Sequence, residues 1–171
     1  MIVLRRGDLW ESEAEVVVRE ATVLGEARSA VGRRTEMEIG AEVLKRVAAM
    51  GEMQVGAAVL TPGGDLPSSF ALHIFLTSHE EPITARGVEK GLRNALARVS
   101  DFGIGSVAFP PVGLGAGSLE TESAAGLLVS MLRTHLETGN EPQQFEIVVD
   151  NDYEEDVFSQ ALGVLENSDA D

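Results

Sequence analysis

The sequence predicts an α/β fold in which helices cover both faces of a mixed or mostly parallel sheet. Short apolar segments alternate with longer segments of helical periodicity along most of the chain. The apolar segments are hydrophobic on both faces, which is typical of central strands in a covered sheet. A chain of 171 residues is long enough for one core and short for two. We therefore expect one three-layer α/β/α domain over residues 1–165 and a disordered acidic tail over 166–171.

Six segments are predicted as strands because they are short, apolar and bounded by turn residues. The second is a run of β-branched valines, and the third stops at the turn Thr61-Pro62-Gly63-Gly64. The predicted ranges are 2–4, 15–18, 55–60, 70–77, 106–109 and 145–149. The first is expected at an edge of the sheet, where it leads into Arg5-Arg6-Gly7-Asp8.

Four segments are predicted as helices from the 3.6-residue spacing of their apolar positions. In the first, the apolar positions follow the spacing i, i+4, i+8, i+11, and Gly51 is a suitable C-cap. The predicted ranges are 36–50, 84–100, 120–137 and 154–165. Residues 22–35 match neither pattern and stay without an assignment. In parallel sheets of this type, ligands bind beyond the carboxyl ends of the strands.

The charge and the absent cysteines exclude several classes of function. The chain carries 28 acidic and 13 basic residues, a net charge of −15, which disfavours direct binding to nucleic acids. Without cysteine there are no disulfides or thiolate sites, and the three histidines lack a metal-ligand spacing. No metal or cofactor is expected. No apolar run is long enough to cross a membrane and the start of the chain lacks a signal peptide pattern, so a cytoplasmic protein is expected.

A glycine-rich loop is the strongest local signal for chemistry. The predicted strand at 106–109 runs into Pro110-Pro111-Val112-Gly113-Leu114-Gly115-Ala116-Gly117-Ser118, and a predicted helix follows. Glycines allow close backbone approach, and N–H groups at a helix start favour an anion such as phosphate. A tight turn that simply needs glycine is the alternative. The loop is neither a P-loop nor a Rossmann fingerprint.

Three motifs in this order resemble the macro domain family. They are Thr61-Pro62-Gly63-Gly64-Asp65-Leu66-Pro67, Ala71-Leu72-His73-Ile74, and Val107-Ala108-Phe109-Pro110 with its Gly-x-Gly-x-Gly loop. The resemblance covers nearly the whole chain and is most specific over 56–125. It implies an α/β/α fold with a pocket for ADP-ribose or a related nucleotide. Some members of the family only bind this ligand, whereas others remove it from proteins or hydrolyse related esters.

The resemblance also implies roles for individual residues. Asp8 stands where the family accepts the adenine amino group, and Leu9 where a backbone N–H helps; a plain turn residue is the alternative for Asp8. Thr22 stands at the asparagine that orients the distal ribose. Asp150 lies where an aromatic residue stacks on adenine. The segment that wraps the diphosphate and distal ribose corresponds to Pro111, Val112, Gly113, Leu114, Gly115, Ala116 and Gly117.

The departures from the family concern the other half of the pocket. The family's N-A-A-N is replaced by Arg19-Glu20-Ala21-Thr22, and its run of glycines is missing from residues 23–34. Tyr153 is the nearest aromatic residue to the lost adenine stack, one register shift away. The chain lacks the acid and asparagine used by hydrolytic members, so no catalytic residue is assigned. Glu20 and Glu26 are the candidate acids of an alternative, non-standard hydrolase.

Several side chains keep two interpretations each. Arg28, Arg33 and Arg34 either meet a phosphate or pair with surface carboxylates. Trp10 either flanks an adenine or caps the core. His73 is expected to be a core histidine bonded to backbone, and His135 an exposed helical residue. The acidic residues around 150–155 either attract a divalent cation or form a solvated turn.

Three functions follow from these observations. The first is a module that binds ADP-ribose or a related phosphorylated nucleoside, with weak or no hydrolysis. The second is the non-standard ADP-ribosyl hydrolase. The third is a scaffold whose pocket has closed and which associates with a protein partner. The retained loop favours the first function, and the lost glycine run favours the third.

Overall fold

The computed structural model of the chain describes residues 1–114 and 119–168, the last five of these by their backbone alone. The described strands form one sheet, and they are β1 Ile2–Arg6, β2 Val16–Thr22, β3 Ala58–Pro62, β4 Phe70–Thr77, β5 Ser106–Phe109 and β6 Gln144–Val149. Their order is β1-β6-β5-β2-β4-β3. The pair β3–β4 is antiparallel and the other pairs are parallel. The predicted mixed sheet is confirmed, with β1 at one edge.

Helices cover both faces of this sheet. They are α1 Ala30–Ile39, α2 Ala41–Ala49, α3 Ala85–Asp101, α4 Thr121–Glu137 and α5 Asp152–Ser168, and a single 3₁₀ turn spans Leu9–Glu11. The larger apolar cluster packs α3, α4 and α5 against one face, and two smaller clusters pack α1 and α2 against the other. The predicted three layers are therefore confirmed. Residues 169–171 of the predicted tail lie outside the described residues.

The helix predicted over 36–50 is wrong in its continuity. α1 begins earlier, where the Ser29 side chain accepts the Gly32 N–H at 3.0 Å, and it ends at Ile39. Gly40 then adopts a φ of +93°, which L side chains rarely adopt, and α2 follows. The Ile39 carbonyl accepts the Asp65 N–H instead of continuing a helix. The apolar spacing continues across the break because both helices pack on the same face, so periodicity alone did not reveal it.

The structure also decides the environments of Trp10 and His135. Trp10 packs against the apolar cluster under α1 and α2, and the guanidinium of Arg34 lies 5.3 Å from its ring centroid. The expectation that His135 is exposed is wrong, because its half-buried ring meets Phe145 edge-on with 5.7 Å between centroids. In the part of the chain that the structure describes, no helix is both long and apolar enough to span a bilayer.

Strand β2 positions the candidate site. It lies between β5 and β4 and runs parallel to both, so the loops after these strands meet at one edge of the sheet. Side chains alternate along it, which sends Arg19 toward α1 and α2 and Glu20 toward the opposite layer. Two charged residues thus stand on opposite faces of a central strand at the edge where ligands are expected.

Candidate functional site

Glu20 contacts the glycine-rich loop directly. The residue is 6% exposed, and one carboxylate oxygen accepts the Gly113 backbone N–H at 2.7 Å. The same oxygen lies 3.4 Å from Nη1 of Arg28. Burial raises the pKa of Glu20 to about 7, although the Gly113 hydrogen bond and the Arg28 charge both oppose this increase. The Gly113 N–H is therefore an anion-binding group that holds an internal carboxylate.

Arg28 links the loop after β2 to the loop after β5. Its Nη1 donates weakly to the Leu114 carbonyl oxygen at 3.5 Å in addition to its pairing with Glu20. The side chain is 7% exposed, and burial lowers the pKa of Arg28, partly offset by Glu20. Arg34, in contrast, pairs with Glu38 at 2.7 Å, and Arg33 is exposed. Arg28 thus pairs with a buried carboxylate and its phosphate role stays a prediction, whereas Arg34 pairs with a surface carboxylate.

The backbone at Gly113 requires glycine. Its φ is +95°, and a Cβ there would lie 3.2 Å from Val88 and 3.3 Å from Leu119. The Leu119 N–H donates to the Gly113 carbonyl at 3.2 Å. Pro111 and Val112 are buried, and Leu114 is half-buried. The remaining predicted loop residues, Gly115, Ala116 and Gly117, lie outside the described residues.

On the other face of β2, Arg19 organises a buried polar cluster. The side chain is 1% exposed, and its Nη1 lies 2.7 Å from Glu36. Both Nη atoms donate to the Gly25 carbonyl at 3.1 Å, and Nε donates to His73 Nδ1 at 3.0 Å. Burial lowers the pKa of Arg19, and the charge of Glu36 opposes this decrease. Arg19 thereby secures the loop that replaces the family's glycine run.

His73 is a core residue, as expected, but its partners are side chains and not backbone. Because Arg19 Nε can only donate, His73 Nδ1 must accept, and the ring proton lies on Nε2. Nε2 is 2.8 Å from Thr61 Oγ1, which accepts this proton. Burial, and then the Arg19 charge, lower the pKa of His73 to about 3. His73 is therefore neutral near pH 7 and has a structural role.

Little space remains between the side chains of β2 and α1. A cavity of about 10 Å³ remains among β2, α1 and the start of the loop after β5, and Arg19 and Glu20 line it. That volume is on the scale of a single water molecule. Pockets for drug-sized ligands measure roughly 300–1,000 Å³. The cavity beside Arg19 and Glu20 therefore has no room for a phosphate group while both side chains stay in place.

The residues predicted to hold the base lie together at the ends of β1 and β6. The Gly7 N–H donates to the Val149 carbonyl at 3.0 Å, so Asp8 and Asp150 follow directly paired backbone. Both are exposed, and Leu9 is buried. Asp150 accepts a hydrogen bond from the Asn151 side chain at 2.8 Å. The geometry is compatible with the predicted base contacts, which stay a prediction.

Tyr153 is turned toward another carboxylate. It is 57% exposed, and its hydroxyl donates to Glu122 at 2.8 Å. A backbone hydrogen bond at Glu122, followed by the Tyr153 bond, lowers the pKa of Glu122. The same contact raises the pKa of Tyr153. Tyr153 therefore has a hydrogen-bond partner on α4, and its stacking on a base stays a prediction.

The two candidate acids differ in their exposure to solvent. Glu20 is buried at the loop, whereas Glu26 is exposed and its backbone closes a turn with Thr22. The Thr22 N–H donates to the Glu26 carbonyl at 2.8 Å, and Thr22 Oγ1 accepts the Glu26 N–H at 3.3 Å. Thr22 is thus partly used by this turn. Within residues 1–114 and 119–168, no group of three metal-ligating side chains could hold an ion.

The sequence marks Glu20 only as a candidate acid, and the contact of Glu20 with Gly113 was not predicted. The available signal was a glutamate inside a strand that is otherwise valine-rich, where an unpaired charge is unfavourable. A buried carboxylate in such a place needs donors, and loop N–H groups at the same sheet edge could supply them. The sequence did not say which N–H it would be.

Comparisons with known proteins give a family match and several solved structures of similar fold. The Macro domain family model matches residues 22–128. An uncharacterised protein of Aeropyrum pernix is 34% identical over 143 residues, covering 78% of this chain and 72% of that protein. The Oceanobacillus iheyensis macrodomain with ADP has a TM-score of 0.85 at 22% identity, covering 95% of this chain and 90% of its own. The Trypanosoma brucei macrodomain in complex with ADP-ribose has a TM-score of 0.86 at 20% identity, covering 94% and 68%.

Proposed function

This chain belongs to the macro domain family, and we propose that it binds the diphosphate of ADP-ribose or of a related phosphorylated nucleoside. The single observation that carries the proposal is the Gly113 N–H, which holds a carboxylate oxygen at 2.7 Å beside Arg28. Phosphate oxygens make the same kind of hydrogen bond as a carboxylate, and arginine favours both. Structures with this fold have been solved with ADP and with ADP-ribose.

In the proposed complex, the nucleotide extends along the carboxyl ends of the strands. The diphosphate lies on the loop from Pro111 to Gly117, just ahead of α4, where a helix start favours negative charge. The base lies near Asp8, Leu9 and Asp150, and Thr22 faces the distal ribose. Exposure of Asp8 and Asp150 and their common position after β1 and β6 support this direction.

We propose that the protein binds ADP-ribose but does not efficiently hydrolyse it from proteins. Among the candidate acids, Glu20 is engaged by Gly113 and Arg28, and Glu26 is exposed to bulk water. Among the described residues, the contacts of Glu20 to Gly113 and Arg28 use the carboxylate oxygen that a general base would offer to an attacking water. Incubation with ADP-ribosylated protein is expected to release no ADP-ribose above the background rate. Turnover that is lost in Glu20→Gln would contradict this part of the proposal.

A second candidate function is a scaffold for protein association. The observation that favours it is the cavity of about 10 Å³ beside Arg19 and Glu20, which has no room for a phosphate group while both side chains stay in place. Binding of ADP-ribose therefore requires the Glu20 side chain to move. The two functions differ in one measurable property, namely affinity for the nucleotide.

Titration calorimetry with ADP-ribose tests the proposal. We expect a micromolar Kd in the unmodified protein and its loss in Gly115→Glu, which places a carboxylate in the predicted diphosphate loop. Gly126→Glu is the matched control, because Gly126 lies on the exposed face of α4 with open space around its Cβ position. Absence of binding up to millimolar ligand, equivalent to about 4 kcal/mol, would overturn the proposal and favour the scaffold.

A further inference from the structure

We infer that Glu20 is an internal competitor for the phosphate at Gly113, and that the protein takes up a proton when the diphosphate displaces this carboxylate. The inference rests on the proposed function and adds to it a form of regulation. It begins from one contact, the 2.7 Å hydrogen bond between Glu20 and the Gly113 N–H. A single N–H cannot make a short, linear bond to both a carboxylate and a phosphate oxygen.

The space around Glu20 also indicates that the carboxylate and a phosphate cannot occupy this point together. The neighbouring cavity of about 10 Å³ does not admit a phosphate group while the carboxylate stays in place. By the resemblance to N-A-A-N, Glu20 stands at an alanine position, and alanine has no group that could reach Gly113. Ligand and carboxylate therefore exclude one another at this point of the loop.

Displacement changes the protonation of Glu20. The carboxylate loses the N–H bond that favours its ionised form, and it remains close to the two negative charges of the diphosphate. Burial already raises the pKa of Glu20 to about 7 in the unliganded protein. Both changes raise the pKa further, so the displaced side chain binds a proton from solvent. The complex then contains a neutral Glu20 carboxyl group and a phosphate on the Gly113 N–H.

The charged groups around Glu20 support this direction. Arg28, from the loop after β2, faces it at 3.4 Å and favours the ionised form until a phosphate competes for the same guanidinium. The Gly113 N–H, in the loop after β5, also faces Glu20 and carries no charge. On β2 itself, Arg19 points to the other face, where it engages Glu36 and His73. Among the described residues, Arg28 is thus the charge that the ligand would divert.

The sign of the pH effect follows from linkage. At a pH well below about 7, Glu20 already carries a proton in the free protein, so binding takes up none and the affinity is constant. At higher pH, the free carboxylate is ionised and binding takes up as much as one proton. The affinity then falls up to about tenfold for each pH unit. Each phosphorus of ADP-ribose keeps a single ionisable oxygen, so the ligand contributes no titration near neutrality.

Calorimetry of the unmodified protein with ADP-ribose between about pH 6 and pH 9 tests the inference without any variant. Repeating each titration in buffers of different ionisation enthalpy counts the protons taken up. We expect uptake to approach one proton per ligand at the alkaline end and the Kd to rise in parallel. A Kd independent of pH, with no proton uptake, would overturn the inference while leaving the proposed function intact.

Variants sharpen the test. Glu20→Ala is expected to bind ADP-ribose at least tenfold more tightly than the unmodified protein near pH 8.5, with no pH dependence, which corresponds to about 1.4 kcal/mol. Glu42→Ala, an exposed carboxylate on α2, is the matched control. Weaker binding by a folded Glu20→Ala would overturn the inference. If neither protein binds at any pH, the proposed function fails together with it.

Discussion

Two polar clusters on opposite faces of β2 differ in how completely their partners are fixed. The Arg19 cluster consists of Arg19, Glu36, His73, Thr61 and the Gly25 carbonyl, and it joins β2, β3, β4 and α1. The Glu20 cluster consists of Glu20, Arg28 and the Gly113 N–H, and it joins two loops to one strand end. These clusters begin at adjacent residues in the chain.

The difference lies in the number and strength of the hydrogen bonds. Arg19 makes contacts of 2.7–3.1 Å to three separate acceptors. Among the described residues, Glu20 has one short bond, to Gly113, and a long contact of 3.4 Å to Arg28. A buried charge with several short hydrogen bonds is stabilised in place, whereas a buried charge with few donors is costly to keep ionised. The Arg19 cluster therefore ties strands and helix together, and the Glu20 cluster is the one on which the proposed phosphate binding depends.

The largest effect is expected for Arg19→Met. The variant leaves the Gly25 carbonyl, His73 Nδ1 and the half-buried Glu36 without their donor, and removing one member of a buried ion pair costs about 3–5 kcal/mol. The free energy of unfolding, measured by urea denaturation, should fall by that amount. Arg33→Met, at an exposed site, is the control. A loss below about 1 kcal/mol would mean that water replaces these bonds.

Glu20→Gln is expected to raise the free energy of unfolding, by an amount that depends on pH. The folded-state pKa of Glu20 is raised from 4.5 to about 7. The stability contributed by this raised pKa is therefore fully present below pH 4.5 and lost as the pH rises through 7. Gln stays neutral and can still accept the Gly113 N–H. Relative to the unmodified protein, the variant should gain roughly 3 kcal/mol between acidic and alkaline conditions.

Urea denaturation of both proteins across this pH range measures the gain. The difference between variant and unmodified protein isolates Glu20, because His73, with its pKa lowered to about 3, titrates equally in both. A difference that does not change with pH would show that the Glu20 carboxylate is fully compensated in the folded state. The contrast with the Arg19 cluster would then disappear.

The smallest of the three effects is expected for Thr61→Val. The substitution keeps the side-chain shape but removes the Oγ1 that accepts the His73 Nε2–H at 2.8 Å. A buried donor left without a partner costs about 1–3 kcal/mol. Thr134→Val, on the exposed side of α4, is the control for urea denaturation. An unchanged stability would show that the Thr61–His73 hydrogen bond contributes no net free energy to folding.

Much of the fold could be predicted because its signals are local. The strand predicted over 70–77 coincides with β4, and that over 106–109 coincides with β5, since both are short apolar runs between turn residues. The break at Gly40 was missed because α1 and α2 bury the same stripe of residues. Its cause is a glycine conformation and a bond from Asp65 to the Ile39 carbonyl, neither of which has a local pattern.

For the candidate site, the sequence determined the kind of protein and the loop that follows β5. The resemblance in three ordered motifs indicated the macro domain family before any geometry was known, and the family model matches residues 22–128. Turn residues and apolar periodicity carry this information because they act over a few neighbouring positions.

Only the tertiary structure decided what Arg19 and Glu20 do. Both are charged residues in a buried strand, and the sequence offered no way to choose their partners. Glu20 meets Gly113 across 93 positions of the chain, and Arg19 meets His73 across 54. These contacts exist because parallel strands bring distant loops to one edge of the sheet, where burial forces each charge to find a donor or an acceptor.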